Sequence, residues 1–482
     1  MPRLKLLAAA IMISTSPVLS AMEEGSWQEE LQKLRAELQQ TQSALKDVKQ
    51  ELNLLKKGVS TQALDSGEPV NPLANQPVAE PGHALRISKS DIDISVNGYV
   101  RMDMIYEGDR TGSENTFVPA QIPVKWKPQN DGNANDGDNQ YHIGSDPSVF
   151  TRGKQTNMHA KQSRLGISAA GMTDYGRFKT HLEGDFYGGA GDSFRLRHAY
   201  GELGNWLLGQ TWTNFGSLES LPNTLDFEGP GSQMPGRNQQ IRYKHKIDDR
   251  WSFVAALEDS SYDPANVDGA NCGSVDCTIT DFENAFPDVI ANISYDDGPN
   301  FYQLALAWAD LEVNANIDTN SDGNTDFSDS YNLNGSGVAF SGRHRFGDRH
   351  MLQYQYTWTD GMGHLITDLG NNDIASNAVL VNDGQSIKEL EATAWQVAYQ
   401  FWWKPNLSST FVYSEVELDN IISELDNPHG YNDTLYTSAN LVWNVTDRVT
   451  TGVEYLYGER TNNNGETGDA SRIQFMSQFN FD

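Results

Sequence analysis

From about Ile92 to its end, the chain breaks into sixteen segments in which apolar and polar residues alternate. They run roughly over 92–106, 158–170, 177–187, 194–204, 205–215, 237–247, 251–259, 287–296, 300–311, 331–346, 349–360, 389–402, 407–418, 431–444, 448–460 and 470–481. A period of two sends successive side chains to opposite faces, so each segment predicts a β-strand with one apolar face. The joints alternate as well. Every second one is tiny: "GMTDYG", "GN", "DDR", "DDGPN", "GDR", "KPN" and "VTD". Those between are mostly long, up to about fifty residues after the first strand. A soluble sandwich has no reason to sort its connections this way. A barrel crossing a bilayer does, with an even number of antiparallel strands, short turns at one end and long loops at the other.

The faces agree. In the first strand Ile92, Ile94, Val96, Val100, Met102 and Met104 oppose Asn97, Arg101 and Asp103; in the third, Phe178, Leu182 and Phe186 oppose Lys179, His181, Glu183 and Asp185. A charge facing lipid at mid-bilayer costs about 2–4 kcal/mol, so the charged face belongs to the lumen. In the last strand, "RIQFMSQFNFD", the phenylalanines then face lipid. Trp206, Trp251, Trp402, Trp403 and Trp443 stand at the tight-turn ends, where an aromatic girdle belongs. Only half of each strand has to be apolar, which reconciles a membrane fold with a mean hydropathy of -0.56. The formal charge of -30 makes nucleic acid an unsuitable partner.

Three segments precede the barrel. Residues 1–21 combine Arg3 and Lys5, an apolar run from Leu6 to Ile13 and a small Ser20-Ala21 end, the pattern of a secretory signal peptide. Within 22–57, Trp27, Leu31, Leu34, Leu38, Thr41, Leu45, Val48, Leu52 and Leu55 step by four and three, predicting an α-helical coiled coil and hence oligomerisation. Residues 58–90 are a Pro/Gly-rich linker, and 91–482 form the barrel.

Four groups of residues are candidates for function. The segment 216–236, "GSLESLPNTLDFEGPGSQMPG", is more apolar than a solvated loop needs and carries Glu219, Asp226 and Glu228. It is expected to fold into the barrel; contact with a neighbouring subunit is the alternative. Alternation places Arg101, Arg164, Lys179, Arg195, Arg197, Arg242 and Lys244 on lumen faces around that loop. Opposite its carboxylates they would set up a transverse field that selects by charge, or else hold the barrel's shape. Asp318, Asn320, Asp322 and Asp329 in "DTNSDGNTDFSD" fit the start of a calcium loop, with Asp instead of Glu at the twelfth position. A chance match in a polar loop is the competing reading. Cys272 and Cys277 in "NCGSVDC" suit a small disulfide in an exported protein. No HExxH, G-x-S-x-G or P-loop pattern occurs, so the chain reads as a non-enzyme, with no cofactor beyond that possible calcium.

The blocks "AKQSRLGISAAG", "THLEGDFYGG", "FRLRHAYGELGNWLLGQTWTNF" and "LPNTLDFEGPGSQ…RNQQIRY" resemble the DcaP-like porins of Gram-negative outer membranes. The order of signal, coiled coil, linker and barrel matches too. The resemblance implies a sixteen-stranded homotrimeric porin with a constriction loop at about 216–236. It also implies a periplasmic coiled coil and a preference for anionic solutes such as dicarboxylates. Arg164, Arg197 and Arg242 are the wall residues it would carry over. A barrel ending on Asp482 after Phe481 departs from the usual aromatic terminus. Passive diffusion through such a pore is the leading expectation. A plugged, surface-binding barrel is the alternative, and an outer-membrane hydrolase is a third. If the coiled coil joins three barrels, deleting residues 27–57 weakens trimer assembly but not membrane insertion; an unaltered trimer on native gels would refute that.

Overall fold

The computed structural model describes residues 85–86, 92–125, 141–143, 150, 153–188, 192–234, 236–259, 267–268, 276–318, 324–370, 374, 376–381, 386–419 and 428–481. For 85–86, 267–268 and 276–285 it describes the backbone alone. The expected signal peptide, the coiled coil and nearly all of the linker lie outside the described residues.

Sixteen antiparallel strands close into one barrel. They are β1 Ile92–Glu107, β2 Arg164–Thr173, β3 Gly176–Gly188, β4 Ser193–Leu203, β5 Trp206–Trp212, β6 Arg237–Lys246, β7 Trp251–Asp259 and β8 Asp276–Asp296. They continue as β9 Phe301–Asp318, β10 Phe327–Phe346, β11 His350–Asp360, β12 Glu391–Lys404, β13 Leu407–Asp419, β14 Tyr431–Thr446, β15 Val449–Asn462 and β16 Thr467–Asn480. Each pairs with its neighbours in sequence, and β1 pairs with both β2 and β16, so no strand edge faces lipid. The seam closes tightly. Phe481 N–H donates to the Gly98 carbonyl at 3.1 Å. A Cβ on Gly98 would lie 2.2 Å from the Arg164 carbonyl oxygen and 2.7 Å from the Phe481 ring. Only glycine fits there.

The two faces sort as alternation requires. Val100, Met102, Met104, Leu165, Ile167, Phe475 and Phe479 point outward and are exposed, while Arg101, Asp103, Gln474 and Gln478 point inward and are buried. Met476, on the inward side of the last strand, packs against Leu225 and Val442 inside the barrel. Trp206, Trp251, Trp403 and Trp443 form the expected outward belt. Trp402 does not: it turns inward, buried, under the Arg345 guanidinium at 5.4 Å.

Two features differ from expectation. The second strand is broken. Gln155–His159 pairs with β1, the chain turns at Ala160–Ser163, and β2 begins only at Arg164. Strands β8, β9 and β10 also run far past their expected ends, with Ile317 still in register with Phe327. A bilayer crossing takes about 9–11 residues, so this part of the wall stands above the membrane. Its inward face is apolar: Leu311, Val313 and Ala315 pack in one cluster with Ala378 and Leu380 of the loop between β11 and β12.

That loop and the one after β1 both fold into the lumen. Val118 and Ala120 share an apolar cluster with Ile366, Leu369, Val379, Leu390 and the inner faces of β12 to β14. The core of this barrel is therefore loop packed against wall, concentrated on the side of β9 to β16.

Candidate functional site

Residues 213–236, between β5 and β6, enter the lumen and are anchored along its inner wall strand by strand. Asn214 N–H donates to Glu258 at 2.8 Å, and its side-chain amide donates to Gln240 at 2.7 Å. Glu219 pairs with Arg343. The Asn223 carbonyl accepts from Asn440 at 2.6 Å. The Leu225 and Asp226 N–H groups both donate to the Glu454 carboxylate, at 2.7 and 2.9 Å. The Leu225 carbonyl accepts from Arg101 and from Gln474. On the return, Ser232 meets Ser414 at 2.9 Å, and Thr213 N–H closes the base on the Gly236 carbonyl at 2.8 Å. Most of the loop follows β9 to β16, its base touches β6 to β8, and the space left beside it is bounded by the inner wall from β2 to β8.

The other two inward loops clasp it. Asp226 accepts from Phe117 N–H at 3.0 Å and from Gly229 N–H at 2.9 Å. Asp368 accepts from Ala120 N–H at 3.2 Å, and its own N–H donates to the Gly231 carbonyl at 3.0 Å. Burial pushes both carboxyls up to about 6, against the pull of Arg472 on Asp226 and of Thr434 on Asp368.

At its tip the loop reaches back to β3 and β4. The register of β3 against β4 slips between Glu183 and Gly184, and through this bulge consecutive residues Arg197 and His198 both turn inward. Arg195 holds Asp185 at 3.0 and 2.8 Å; Arg197 holds Glu183 at 2.9 Å and Asp185 at 2.7 Å. The Phe227 ring stacks on Tyr187 at 4.3 Å between centroids. The guanidinium carbons of Arg195 and Arg197 lie 5.7 and 5.6 Å from the Phe227 centroid. Trp212 continues the series, 5.6 Å from Arg197 and 4.9 Å from Arg237. Arginines and aromatic rings thus alternate along one line: Arg195, Phe227, Arg197, Trp212, Arg237. Cation–π contact holds all three guanidinium groups, joined at Arg195 by the bidentate Asp185 and at Arg197 by single bonds to Glu183 and Asp185.

Beneath this line lies a cavity of about 450 Å³ lined by Arg164, Lys179, Tyr200, Trp212, Arg242 and Lys244 among others. Arg164 is 3.4 Å from Glu183 and Arg242 is 3.6 Å from Glu202. No carboxylate among the described residues comes within 4.0 Å of Lys179, Arg237 or Lys244.

The residues singled out in the sequence therefore divide. Arg164, Lys179, Arg195, Arg242 and Lys244 border the passage. Arg101 and Arg197 are buried and spent on Asp103, the Leu225 carbonyl, Glu183 and Asp185. They act as struts. Of the loop acids, Asp226 faces away from the passage into the joint between loops, whereas Glu228 is half-buried on the side of Arg195 and Arg237. Burial, reinforced by Asp226 and Asp368, pushes the Glu228 carboxyl up to about 7. His181 and His198 make lumen hydrogen bonds, to Ser168 at 2.8 Å and Thr211 at 3.1 Å. Sequence reasoning missed Arg237, although it opens β6 within a block already conspicuous for "RNQQIRY". It also missed Arg472 and Arg460, whose inward positions on β15 and β16 follow from the same alternation.

Of the calcium-like group, Asn320 and Asp322 lie outside the described residues. Asp318 ends β9, and Asp329 sits within β10 opposite Ala315. No metal-holding cluster occurs among the described residues. The expected disulfide also falls outside them, because Cys272 is not described and only the backbone of Cys277 is.

Comparison with known proteins gives the context. No curated protein sequence matches the chain. Among solved structures, the outer membrane channel DcaP of Acinetobacter baumannii matches with a TM-score of 0.63 at 21% identity, over 83% of this chain and all of that one. An anion-selective porin from Comamonas acidovorans matches at TM-score 0.47 and 14% identity, over 81% of this chain and all of that one. A loop-deletion mutant of OmpT of Vibrio cholerae matches at TM-score 0.46 and 10% identity, with the same coverage. The first shares the fold, and the other two are too distant to carry an argument. The family model for the DcaP outer membrane protein matches residues 134–481, most of the length, and the chain belongs to that family.

Proposed function

We propose that this outer-membrane channel favours small anions, dicarboxylates among them, and passes them by diffusion without covalent chemistry or energy coupling. The observation that carries the reading is Arg237. Its guanidinium carbon lies 4.9 Å from the Trp212 ring centroid, with no carboxylate of the described residues within 4.0 Å. Arg195 stands at the other end of the same line. Glu183 and Asp185, the acids nearest on that wall, are already matched by Arg164, Arg195 and Arg197. The wall therefore carries more cation than anion where the inward loop narrows the lumen, and a fixed charge in a confined, poorly screened place selects more strongly than exposed charge.

Association into a homotrimer is part of the proposal. Outward aromatic residues ring the barrel at Trp206, Trp251, Tyr399, Trp403 and Trp443, but the outer faces of β2 to β4 carry Leu165, Ile167, Leu182, Phe186, Phe194 and Leu196 instead. Trp and Tyr mark water–lipid boundaries, so strand faces without them, with Tyr175 only in the β2–β3 turn, suit contact with another barrel.

Two measurements follow. In proteoliposomes, a four-carbon dicarboxylate should enter about tenfold faster than a diamine of equal length. Arg237→Glu should bring the two near parity, and equal entry through the unaltered protein would sink the reading. The second concerns Glu228. Above pH 7 its carboxylate adds a negative charge facing Arg195 and Arg237; below pH 7 it is protonated and that charge is gone. Anion preference should therefore rise as pH falls from 8 to 6. Glu228→Gln should hold the acid-side preference throughout, and a pH dependence undiminished in that variant would remove Glu228 from the account.

A further inference from the structure

We propose that the cavity below the arginine line is a second anion-holding position, built on Lys179 and Lys244, that receives an anion from the arginines and releases it at the tight-turn mouth. This rests on the anion-favouring reading above and adds a place and a step to it.

Three observations converge. The first is position. Register carries Lys179 to Glu202, Glu202 to Leu207 and Leu207 to Arg242, so Lys179 and Arg242 lie on one row around the wall, with Lys244 one inward step further down β6. Two residues along a strand rise about 6.6 Å, so Arg242 and Lys244 form successive rungs on the way out. The second is space. The 450 Å³ cavity is adjoined by another of about 510 Å³ reaching the turns, and Arg242 and Lys244 line both. The third is pairing: Lys179 and Lys244 have no carboxylate among the described residues within 4.0 Å.

Chemistry separates the two levels. The upper arginines are oriented by Asp185, Glu183, Phe227 and Trp212, and a planar, weakly hydrated guanidinium held in place grips a carboxylate through paired hydrogen bonds. The lower lysines end in compact, strongly hydrated ammonium groups on flexible stems, which attract an anion without fixing its orientation. Glu202, 3.6 Å from Arg242, and Asp296, which lines both cavities, temper the lower site. Conduction needs sites strong enough to admit an ion and weak or numerous enough to let it go. An oriented site followed by a softer one meets both demands.

The test is single-channel conductance of the full-length protein in chloride from 0.05 to 1 M, with the reversal potential read on the same channels. Lys179→Gln with Lys244→Gln should lower conductance about threefold at the low-salt end, converge on the unaltered protein at 1 M, and leave reversal on the anion side. Each single substitution should give part of that loss, and Lys404→Gln, which changes an exposed residue at the turn end of β12 outside both cavities, should give none. Low-salt conductance unchanged in the double variant while reversal stays on the anion side overturns the lower site alone. Reversal on the cation side in the unaltered protein overturns the anion reading on which it rests.

Discussion

Inside hydrocarbon, an unpaired backbone N–H or C=O has no water to turn to, and this forces the chain into a closed ring of strands. The requirement is met at every interface, including the seam where β1 takes β2 on one edge and β16 on the other. Closure then dictates the chemistry of both surfaces. Lipid claims the outward half of each strand. At the depth of the hydrocarbon, a residue that must keep its charge is sent inside, where it faces loops, water or another charge. The buried Arg472–Glu107 pair at 2.7 Å, on two strands that meet only because the ring closes, is one product of that sorting.

The lumen turns buried charge into scaffolding. An inward loop exposes backbone groups that must be paired, and an unmet one costs about 1–3 kcal/mol. Glu454 meets two of them, Arg101 a third, Asp226 and Asp368 two more on the neighbouring loop. The inward loop is thereby held against β9 to β16. The space that remains lies along the opposite wall, beside the arginines and lysines of β2 to β6.

Strand positions were legible because a half-lipid, half-lumen strand cannot avoid a period of two, and the loops sorted by length because one end of the barrel has only to turn. The inward course of 216–236 was legible from Leu218, Leu221, Leu225 and Phe227, which a solvated loop would not need. The same clue was present and overlooked in Phe117, Val118 and Ile122, and in Ile366, Leu369 and Leu380, set among acidic and glycine-rich residues that suggested outer loops. The bulge that turns both Arg197 and His198 inward left no mark, because a register shift depends on the partner strand. Alternation shows that an arginine faces the lumen but not whether a carboxylate awaits it. Arg101 and Arg242 look alike in sequence, and only the fold makes one a strut and the other a lining.

A formal charge of -30 sits awkwardly with an anion path until its location is considered. Exposed acids such as Glu391, Glu417, Asp419 and Asp469 lie on outward faces near the long-loop end, and beyond about 8–10 Å of saline their field has largely decayed. Charges at the narrowing act within a few ångströms of a passing ion. The central claim is that the arginine line, not the net charge, sets selectivity. The reversal potential of single channels under a salt gradient tests it most directly. The account predicts reversal on the anion side, moving toward zero when Arg237 is replaced by glutamate. Cation-side reversal in the unaltered protein, or a reversal potential indifferent to that substitution, would contradict it.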